Sequence, residues 1–295
     1  MGVVRADAAQ RLRAIGSLEG LPTQLRRALG DGDDFDPIPE PGPDDWLSVA
    51  REPGQTFERF TRTATGRPAE AARRICLRPV GDVPPRHSQL LQQLQRFGSE
   101  FFGRELSLLP PLVVEGSGIA TRRNRFTDVL QLKTRDILPT LARSIPPDAW
   151  CVLGVTVYDL YPHDTWSFVF GESLLGDRVG VFSIARYDPA FYGKPVDDPS
   201  LLVRRSCKVL AHEACHMFGM QHCVFFNCLM NGSNHLAESD RRPLHLCPVD
   251  LRKLQWTLGF DVSERYRRLL AFWLGVGVDD EAAWIRRRLD FIEGG

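Results

Sequence analysis

The chain has 295 residues, 43% of them hydrophobic and 25% charged, and this composition excludes a collagen-like, coiled-coil or wholly disordered protein. Its 37 basic and 37 acidic residues give a formal net charge of zero, so we expect neither nucleic acid nor a membrane surface as a partner. The sequence shows no signal peptide and no stretch of ~20 apolar residues that would span a bilayer. We therefore expect a cytoplasmic or nuclear protein, and a monomer.

Residues 1–70 are expected to form an N-terminal extension. Apolar residues at helical spacing, from Leu12 to Leu29, predict one or two short amphipathic helices over 6–29. Residues 30–45 are rich in proline and acidic residues, cannot hold a helix and have little to bury. This composition predicts an exposed, acidic, proline-rich linker.

Residues 71–262 are expected to form one domain that mixes strands and helices. Runs of β-branched and aromatic residues predict strands over 75–80, 150–161, 166–170 and 179–185. Apolar residues at helical spacing predict helices over 87–101, over 127–144 with a kink or break at Pro139, and over 199–218. The predicted fold class is therefore α/β or α+β.

The end of the chain, residues 263–295, is expected to be helical. Two amphipathic patterns, over 261–273 and 279–292, are separated by Gly275 and Gly277 and predict two helices.

Two histidines on the predicted helix 199–218 can bind one metal ion. His212 and His216 are four residues apart, which places both imidazoles on one helix face. On a continued helix His222 would lie about 240° round the axis from His216. Gly219 can adopt the left-handed conformation that ends a helix, so the chain can turn back and offer His222 as a third ligand.

Three protein ligands with one open position are typical of a catalytic zinc site. Glu213 is offset by about 100° from His212, which suits a general base that contacts a zinc-bound water better than a ligand. The alternative reading is a solvated His-Glu pair on a helix surface. The spacing of His212, Glu213, His216, Gly219 and His222 favours the zinc site. With 7 His and 25 Gly in the chain, this complete spacing should arise by chance in fewer than about one in 10⁴ such chains.

The motif HExxHxxGxxH is the zinc-binding signature of the metzincins, and residues 212–250 resemble the archaemetzincin family in particular. The likeness rests on the cysteines and Met230 that follow the histidines, and on segments 166–171 and 180–187, which resemble the central strands of that family. It covers roughly residues 71–260. It implies a metzincin-like zincin domain with a twisted mixed sheet, an active-site helix, a zinc and methionine-turn region over 219–255, and a smaller C-terminal subdomain.

Carried over residue by residue, the resemblance implies that His212, His216 and His222 ligate the catalytic zinc and that Glu213 is the base. It also implies that Met230 forms the methionine turn beneath the site. A buried methionine that only fills the core is the alternative, and its physical role is much the same.

The family also carries a second, structural zinc on four cysteines, of which Cys223, Cys228 and Cys247 match three. The fourth position is Asp250, whose carboxylate can ligate zinc, although structural sites normally use Cys and His. Loss of this site is an alternative, and His245 or His235 could substitute for Asp250. The other cysteines lack metal-ligand spacing and are expected to be buried core residues; they are Cys76, Cys151, Cys207 and Cys215.

The predicted function is that of a zinc-dependent metallopeptidase, with a water on zinc as nucleophile and a peptide or protein as substrate. The resemblance implies peptide hydrolysis that is aminopeptidase-like on short peptides. The alternative is a zinc-binding scaffold or interaction protein with little turnover. We expect His87 and His163 to be ordinary surface or loop histidines.

Overall fold

The computed structural model describes residues 5–30, 32, 34–63, 74–175 and 177–294. The chain divides into two compact units, one made of Met1–Gly66 with Gly219–Gly295 and the other of Arg67–Phe218. The domain boundaries 70/71 and 262/263 stay predictions, and the first of them lies outside the described residues, as do the first four residues of the N-terminus.

Eleven α-helices lie in the described part of the chain. They are α1 Ala8–Ile15, α2 Thr23–Leu29, α3 Trp46–Val49, α4 Phe57–Thr63, α5 Ser88–Phe102, α6 Thr134–Ala142, α7 Ser200–Met217, α8 Leu236–Arg241, α9 Pro248–Leu258, α10 Val262–Val276 and α11 Asp279–Glu293. The same residues contain eight strands. They are β1 Arg74–Pro79, β2 Leu106–Leu108, β3 Thr121–Arg123, β4 Leu130–Lys133, β5 Ala149–Thr156, β6 Asp159–Tyr161, β7 Gly171–Ser173 and β8 Val179–Ser183.

The unit Arg67–Phe218 is built on two mixed sheets. The larger sheet has the strand order β2-β1-β5-β8-β7, in which only β7, at the edge, is antiparallel to its neighbour. The smaller sheet has the order β3-β4-β6. The central strands β5 and β8 are buried along almost their whole length, as expected of parallel strands covered on both faces.

Helix α7 packs on the larger sheet, against β5, β7 and β8, and also against α5. Its positions Cys207, Leu210 and Ala214 are completely buried, so the apolar face of the helix is held by the core. This packing fixes the end of α7 near the edge strand β7, where Glu213 approaches Gly171.

The other unit is mostly helical. Helices α10 and α11 pack against each other and both contact α2, while α9 contacts α1, α2 and α4. Within the described residues, no helix combines the length and the apolar character needed to cross a membrane.

Most of the predicted elements are present. Strands 75–80 and 179–185 correspond to β1 and β8, and helices 87–101 and 199–218 correspond to α5 and α7. The helices predicted over 6–29 are α1 and α2, and the two C-terminal patterns are α10 and α11. The left-handed residue that separates α10 from α11 is Gly277, with φ of 75°, whereas Gly275 lies inside α10.

Two predicted elements are divided in the structure. Residues 127–144 were expected to be one helix, but Leu130–Lys133 pairs with β3 and β6 as a strand, and the helix begins only at Thr134. The predicted strand 150–161 is two strands in two sheets. Thr156 ends the first, where its hydroxyl donates to Val80 O at 2.7 Å and accepts from Tyr158 N at 3.2 Å.

The strand prediction for residues 166–170 is wrong. Their aromatic rings pack on side chains instead of marking a ladder: Phe168 lies 3.6 Å from the Arg186 guanidinium and Phe170 stacks on Tyr187. The edge strand follows one residue later, as β7.

Three burial predictions are also wrong. The described residues between 30 and 45 lie in a loop as expected, but they are not simply exposed, because Phe35 and Ile38 are buried. Leu12, expected on the apolar face of its helix, is 57% exposed. His87 is 5% exposed rather than at the surface, and burial lowers its pKa, whereas His163 is exposed as expected.

Candidate metal centres

Helix α7 carries the predicted active-site signature and has clear ends. At its start, Asp198 Oδ1 accepts from the backbone N–H of Ser200 at 2.8 Å and from its hydroxyl at 2.7 Å. These hydrogen bonds, from the side chain first and then the backbone, lower the pKa of Asp198. At its end, Gly219 has φ of 84°, the left-handed conformation that stops a helix and turns the chain.

The first two histidines of the signature face each other across one helical turn. The Nε2 atoms of His212 and His216 are 3.0 Å apart, and their rings are nearly perpendicular, at 87°. Two imidazole nitrogens on one tetrahedral zinc would lie about 3.3 Å apart, given Zn–N distances of about 2.0–2.1 Å. The observed pair therefore fits joint binding of one zinc ion.

Glu213 lies between these histidines in sequence and is 8% exposed. Its carboxylate rests against the backbone of β7, because a Cβ added to Gly171 would lie 2.7 Å from Glu213 Oε1 and 2.8 Å from its Cδ. Only glycine leaves room for the carboxylate at this point of the edge strand.

His222 lies in the unit that contains Gly219–Gly295, three residues after the glycine that ends the helix turn. Its Nδ1 is 2.7 Å from Glu52 Oε1, and its ring packs at 80° to the ring of Trp46, with centroids 5.5 Å apart. A carboxylate only accepts hydrogen bonds, so Nδ1 is the ring nitrogen that carries the hydrogen in this contact.

The three cysteines predicted for a second site lie together, and Asp250 lies with them. The Sγ atoms of Cys223 and Cys247 are 3.6 Å apart, and Asp250 Oδ2 is 3.3 Å from the Sγ atoms of Cys228 and Cys247. All four ligand atoms lie within 4.8 Å of one another and all four residues are buried. The two substitutes considered for Asp250 are elsewhere, since His245 contacts Glu281 and His235 contacts Asp45.

These spacings match tetrahedral zinc. With Zn–S of about 2.3 Å and Zn–O of about 2.0–2.2 Å, neighbouring sulfurs lie about 3.8 Å apart and a sulfur and an oxygen about 3.6 Å apart. Backbone N–H groups also point at one thiol, since Cys247 N and Met230 N lie 3.2 and 3.5 Å from Cys228 Sγ. Such contacts are common around zinc-bound thiolates because outer hydrogen bonds orient the ligands.

Asp250 has a second partner in the core. Its Oδ1 accepts from Lys253 Nζ at 2.8 Å, and the two side chains are 0% and 1% exposed. Burial raises the pKa of Asp250 to about 6, while the Lys253 charge opposes this rise. Lys253 therefore favours the charged carboxylate, whereas burial and the neighbouring Cys223 favour its protonated form.

Met230 lies in a turn and is completely buried. Its backbone oxygen accepts from Cys223 N at 2.9 Å, which ties the turn to the residue directly after His222. The methionine turn implied by the resemblance is therefore compatible with the observed backbone.

A third group, which the sequence reasoning missed, contains Asp45, His235 and Glu238. Its polar atoms already have partners: Arg241 binds Asp45 at 2.7 Å, and Glu238 accepts from Trp46 N at 3.0 Å. Although burial raises the pKa of Asp45, hydrogen bonds from Gly42 and Arg241 lower it overall. This group fastens residues 42–46 to α8, and no ligand is needed to explain it.

The remaining cysteines behave as expected. Cys76, Cys151, Cys207 and Cys215 are all 0% exposed. Burial raises the pKa of Cys76 and Cys207. All seven cysteines belong to the described part of the chain, and none of them forms a disulfide.

Comparisons with known proteins agree with this reading. The family model "Peptidase family M54" matches residues 135–256. Human archaemetzincin-2 is 38% identical over 278 residues, covering 84% of this chain and 76% of the relative. Human archaemetzincin-1 is 39% identical over 254 residues, covering 76% of this chain and 51% of the relative.

Two solved structures are also similar. An archaemetzincin from Methanopyrus kandleri is 30% identical with a TM-score of 0.52, covering 65% of this chain and 99% of that protein. A zinc-dependent peptidase from Methanocorpusculum labreanum is 26% identical with a TM-score of 0.50, covering 61% of this chain and 99% of that protein.

The mixed α/β fold, the histidine pair on α7 and these likenesses define the class: the protein is a zinc-dependent metallopeptidase, and its substrate is a peptide or protein. Within that class, the chain belongs to the archaemetzincin family.

Proposed function

We propose that His212, His216 and His222 hold the catalytic zinc of this peptidase and that Glu213 is its general base. The observation that carries the proposal is the end of α7. Two imidazole nitrogens 3.0 Å apart are followed within three residues by a glycine at φ of 84°, which starts the turn toward a third histidine. The tautomer of His222, with its hydrogen on Nδ1 toward Glu52, suits ligation through Nε2.

The residues of the chain divide the work of hydrolysis. Zinc, when bound, polarises the scissile carbonyl and lowers the pKa of water toward about 7. Glu213 accepts the proton of the attacking water and then delivers it to the leaving amine. Gly171 has no Cβ and so leaves room for this carboxylate beside the backbone of β7.

The edge strand β7 is the element that we propose to align the substrate. It stands at the end of the larger sheet and pairs with β8, so its outer side offers backbone groups to an extended peptide. The proposal places β7 along the substrate, because residues 166–170 form no strand and β8 lies inside the sheet. We further propose aminopeptidase-like action on short peptides, as the family resemblance implied.

We also propose that Cys223, Cys228, Cys247 and Asp250 hold a second, structural zinc. Support comes from their ligand atoms, which lie within 4.8 Å of one another in a completely buried cluster. A closed set of four protein ligands gives no access to substrate, which fits a role in stability.

The catalytic proposal is tested by counting zinc and measuring turnover in His216→Ala and His222→Ala. Each variant should lose one zinc per chain together with peptide hydrolysis, because two ligands hold zinc far more weakly than three. His163→Ala, which removes an exposed histidine, should match the parent. Parent-like zinc content and turnover in His222→Ala would refute the ligand set.

Substrate class is tested with matched peptides that carry either a free or an acetylated N-terminus. Aminopeptidase-like action predicts cleavage of the free peptides and loss of cleavage after acetylation. Equal rates on both would show endopeptidase action, and no turnover of either by the zinc-loaded parent would favour the scaffold alternative.

A further inference from the structure

Part of the N-terminal extension lies against the segment that follows Gly219. Both belong to the same compact unit. The contacts around His222 and its turn include those of Trp46, Glu52, Gly54 and Gln55.

Gln55 bridges the turn after α7. Its Nε2 donates to Gly219 O at 3.0 Å, and its Oε1 accepts from Gln221 N at 3.1 Å. The residue is 2% exposed. One buried side-chain amide therefore binds the backbone on both sides of Met220 and holds the turn that leads to His222.

Gly54 allows the two backbones to approach closely. It has φ of 73°, and a Cβ at this position would lie 2.6 Å from Val224 Cγ2 and 2.9 Å from the Phe225 ring. Both the backbone conformation and the contact distance require glycine. The extension is therefore packed directly on the residues next to His222 and Cys223.

Glu52 contacts His222 itself, with Oε1 2.7 Å from Nδ1. The two side chains are 22% and 21% exposed. A carboxylate on the outer nitrogen of a metal-binding histidine sets the orientation and tautomer of the ring and raises its basicity as a ligand.

The segment is also fastened at its other end. Arg241 binds the buried carboxylate of Asp45, and Trp46 N donates to the buried Glu238. The space for Trp46 depends on Gly232, where a Cβ would lie 2.4 Å from the indole. Residues 45–55 are thus held at both ends, and Glu52 lies between the two attachments.

We propose that the N-terminal extension completes the catalytic zinc site, with Glu52 as the positioning residue for His222 and Gln55 as the holder of its turn. The inference rests on the proposed role of His222 as a zinc ligand. The proposal gives the extension a part in zinc binding, although Glu52 and His222 are 170 residues apart in sequence.

The test compares zinc affinity of the full-length parent, Glu52→Ala and Glu52→Gln, measured by competition with a chelator of known affinity. Loss of such an outer partner typically weakens metal binding by about 10- to 100-fold, which is the expectation for Glu52→Ala. Glu52→Gln keeps an oxygen that accepts from Nδ1, so its affinity should lie between those of the alanine variant and the parent. Glu58→Gln, which changes a glutamate of the same extension that is 70% exposed, is the matched control and should be unchanged.

Cobalt substitution gives a second readout, because the visible spectrum of Co²⁺ reports the ligand geometry. Glu52→Ala should alter the band that is lost in His216→Ala. Melting of the metal-free variants separates positioning from folding: the proposal predicts weaker zinc binding with an unchanged metal-free melting temperature.

Zinc affinity of Glu52→Ala within about two-fold of the parent would overturn the inference, because the smallest loss expected for an outer partner is about 10-fold. The inference would also be overturned if Glu52→Ala and Glu52→Gln lost zinc affinity equally and both melted at a lower temperature without metal. That pattern would show a structural role only. Failure of the proposed function looks different, because His216→Ala would then keep the zinc content of the parent.

Discussion

The two candidate metal centres differ in burial and in the charge placed around them. His212, His216 and His222 are all half-buried, whereas the four residues of the cysteine cluster are all buried. A catalytic zinc needs an open position and a structural zinc does not. The contrast supports one centre for chemistry and the other for stability.

The outer partners follow the charge of the ligands. With zinc bound, the proposed set of three imidazoles would meet the Glu52 carboxylate at His222, and the proposed anionic set of three thiolates and a carboxylate would meet the buried ammonium of Lys253. Each partner moves the net charge of a zinc-loaded centre toward zero, which limits the cost of burying charge. Asp250 is therefore suited to its position by Lys253 as well as by its distance from the thiols.

The largest effect is expected for Glu213→Gln, which removes the base and keeps the shape of the side chain. Turnover should fall by about 10²- to 10⁴-fold, the usual contribution of a general base, while zinc content stays at the parent level. Steady-state peptide hydrolysis and metal analysis of the same sample check both parts. Turnover like the parent would remove Glu213 from the mechanism.

The next effect concerns the cysteine cluster. Asp250→Ala should lose the second zinc and lower the melting temperature while the histidine centre keeps its metal, because structural zinc binding is coupled to folding. Asp250→Cys should bind zinc more tightly than the parent and melt at a higher temperature when metal is present, since thiolate suits zinc. Unchanged zinc content and melting in Asp250→Ala would show that Asp250 is not a ligand.

A smaller effect is expected at the edge strand. Gly171→Ala places a Cβ 2.7 Å from Glu213 Oε1, so the carboxylate must move. A displacement of about 1 Å at a reacting group can cost about 100-fold in rate, and we expect a loss of about 10- to 100-fold in kcat with zinc content unchanged. Ser173→Ala, on the same strand, is the control and should keep parental kcat.

The sequence predicted what depends on local spacing. Helix 199–218 and its stop at Gly219 follow from periodicity and from the conformational freedom of glycine, and the structure confirms them. Asp250 follows Cys247 by three residues, and the first turn of α9 brings both side chains to one side, with Asp250 Oδ2 3.3 Å from Cys247 Sγ.

Contacts between distant residues could not be predicted in this way. Glu52 and His222 are 170 residues apart, and a single glutamate in a loop carries no periodic signal. The strand prediction for 166–170 failed for a related reason, since the aromatic rings there are used by Arg186 and Tyr187. Tertiary packing overrode the local preference for a strand.

The smallest effect concerns the start of α7. The pKa of Asp198 is lowered in the folded protein, so its contribution to stability is present above the ordinary carboxyl pKa and is lost as the pH falls through the lower folded value. Asp198→Ala should cost about 0.5–1 kcal/mol near neutral pH, as for side chains that accept from backbone N–H groups at the start of a helix. Melting curves should show the difference from the parent shrink on acidification. Asp197→Ala, at the neighbouring exposed position, is the matched control and should melt like the parent near neutral pH.

The most direct test of the division between the two centres is stepwise removal of zinc from the parent by a chelator, with zinc content, peptide hydrolysis and melting temperature followed in parallel. We predict that the first zinc leaves from the half-buried histidine centre and takes the activity with it, while the melting temperature falls only when the buried second zinc leaves. Activity that persists after the first zinc has gone, or a parent that holds a single zinc when loaded under reducing conditions, would contradict it.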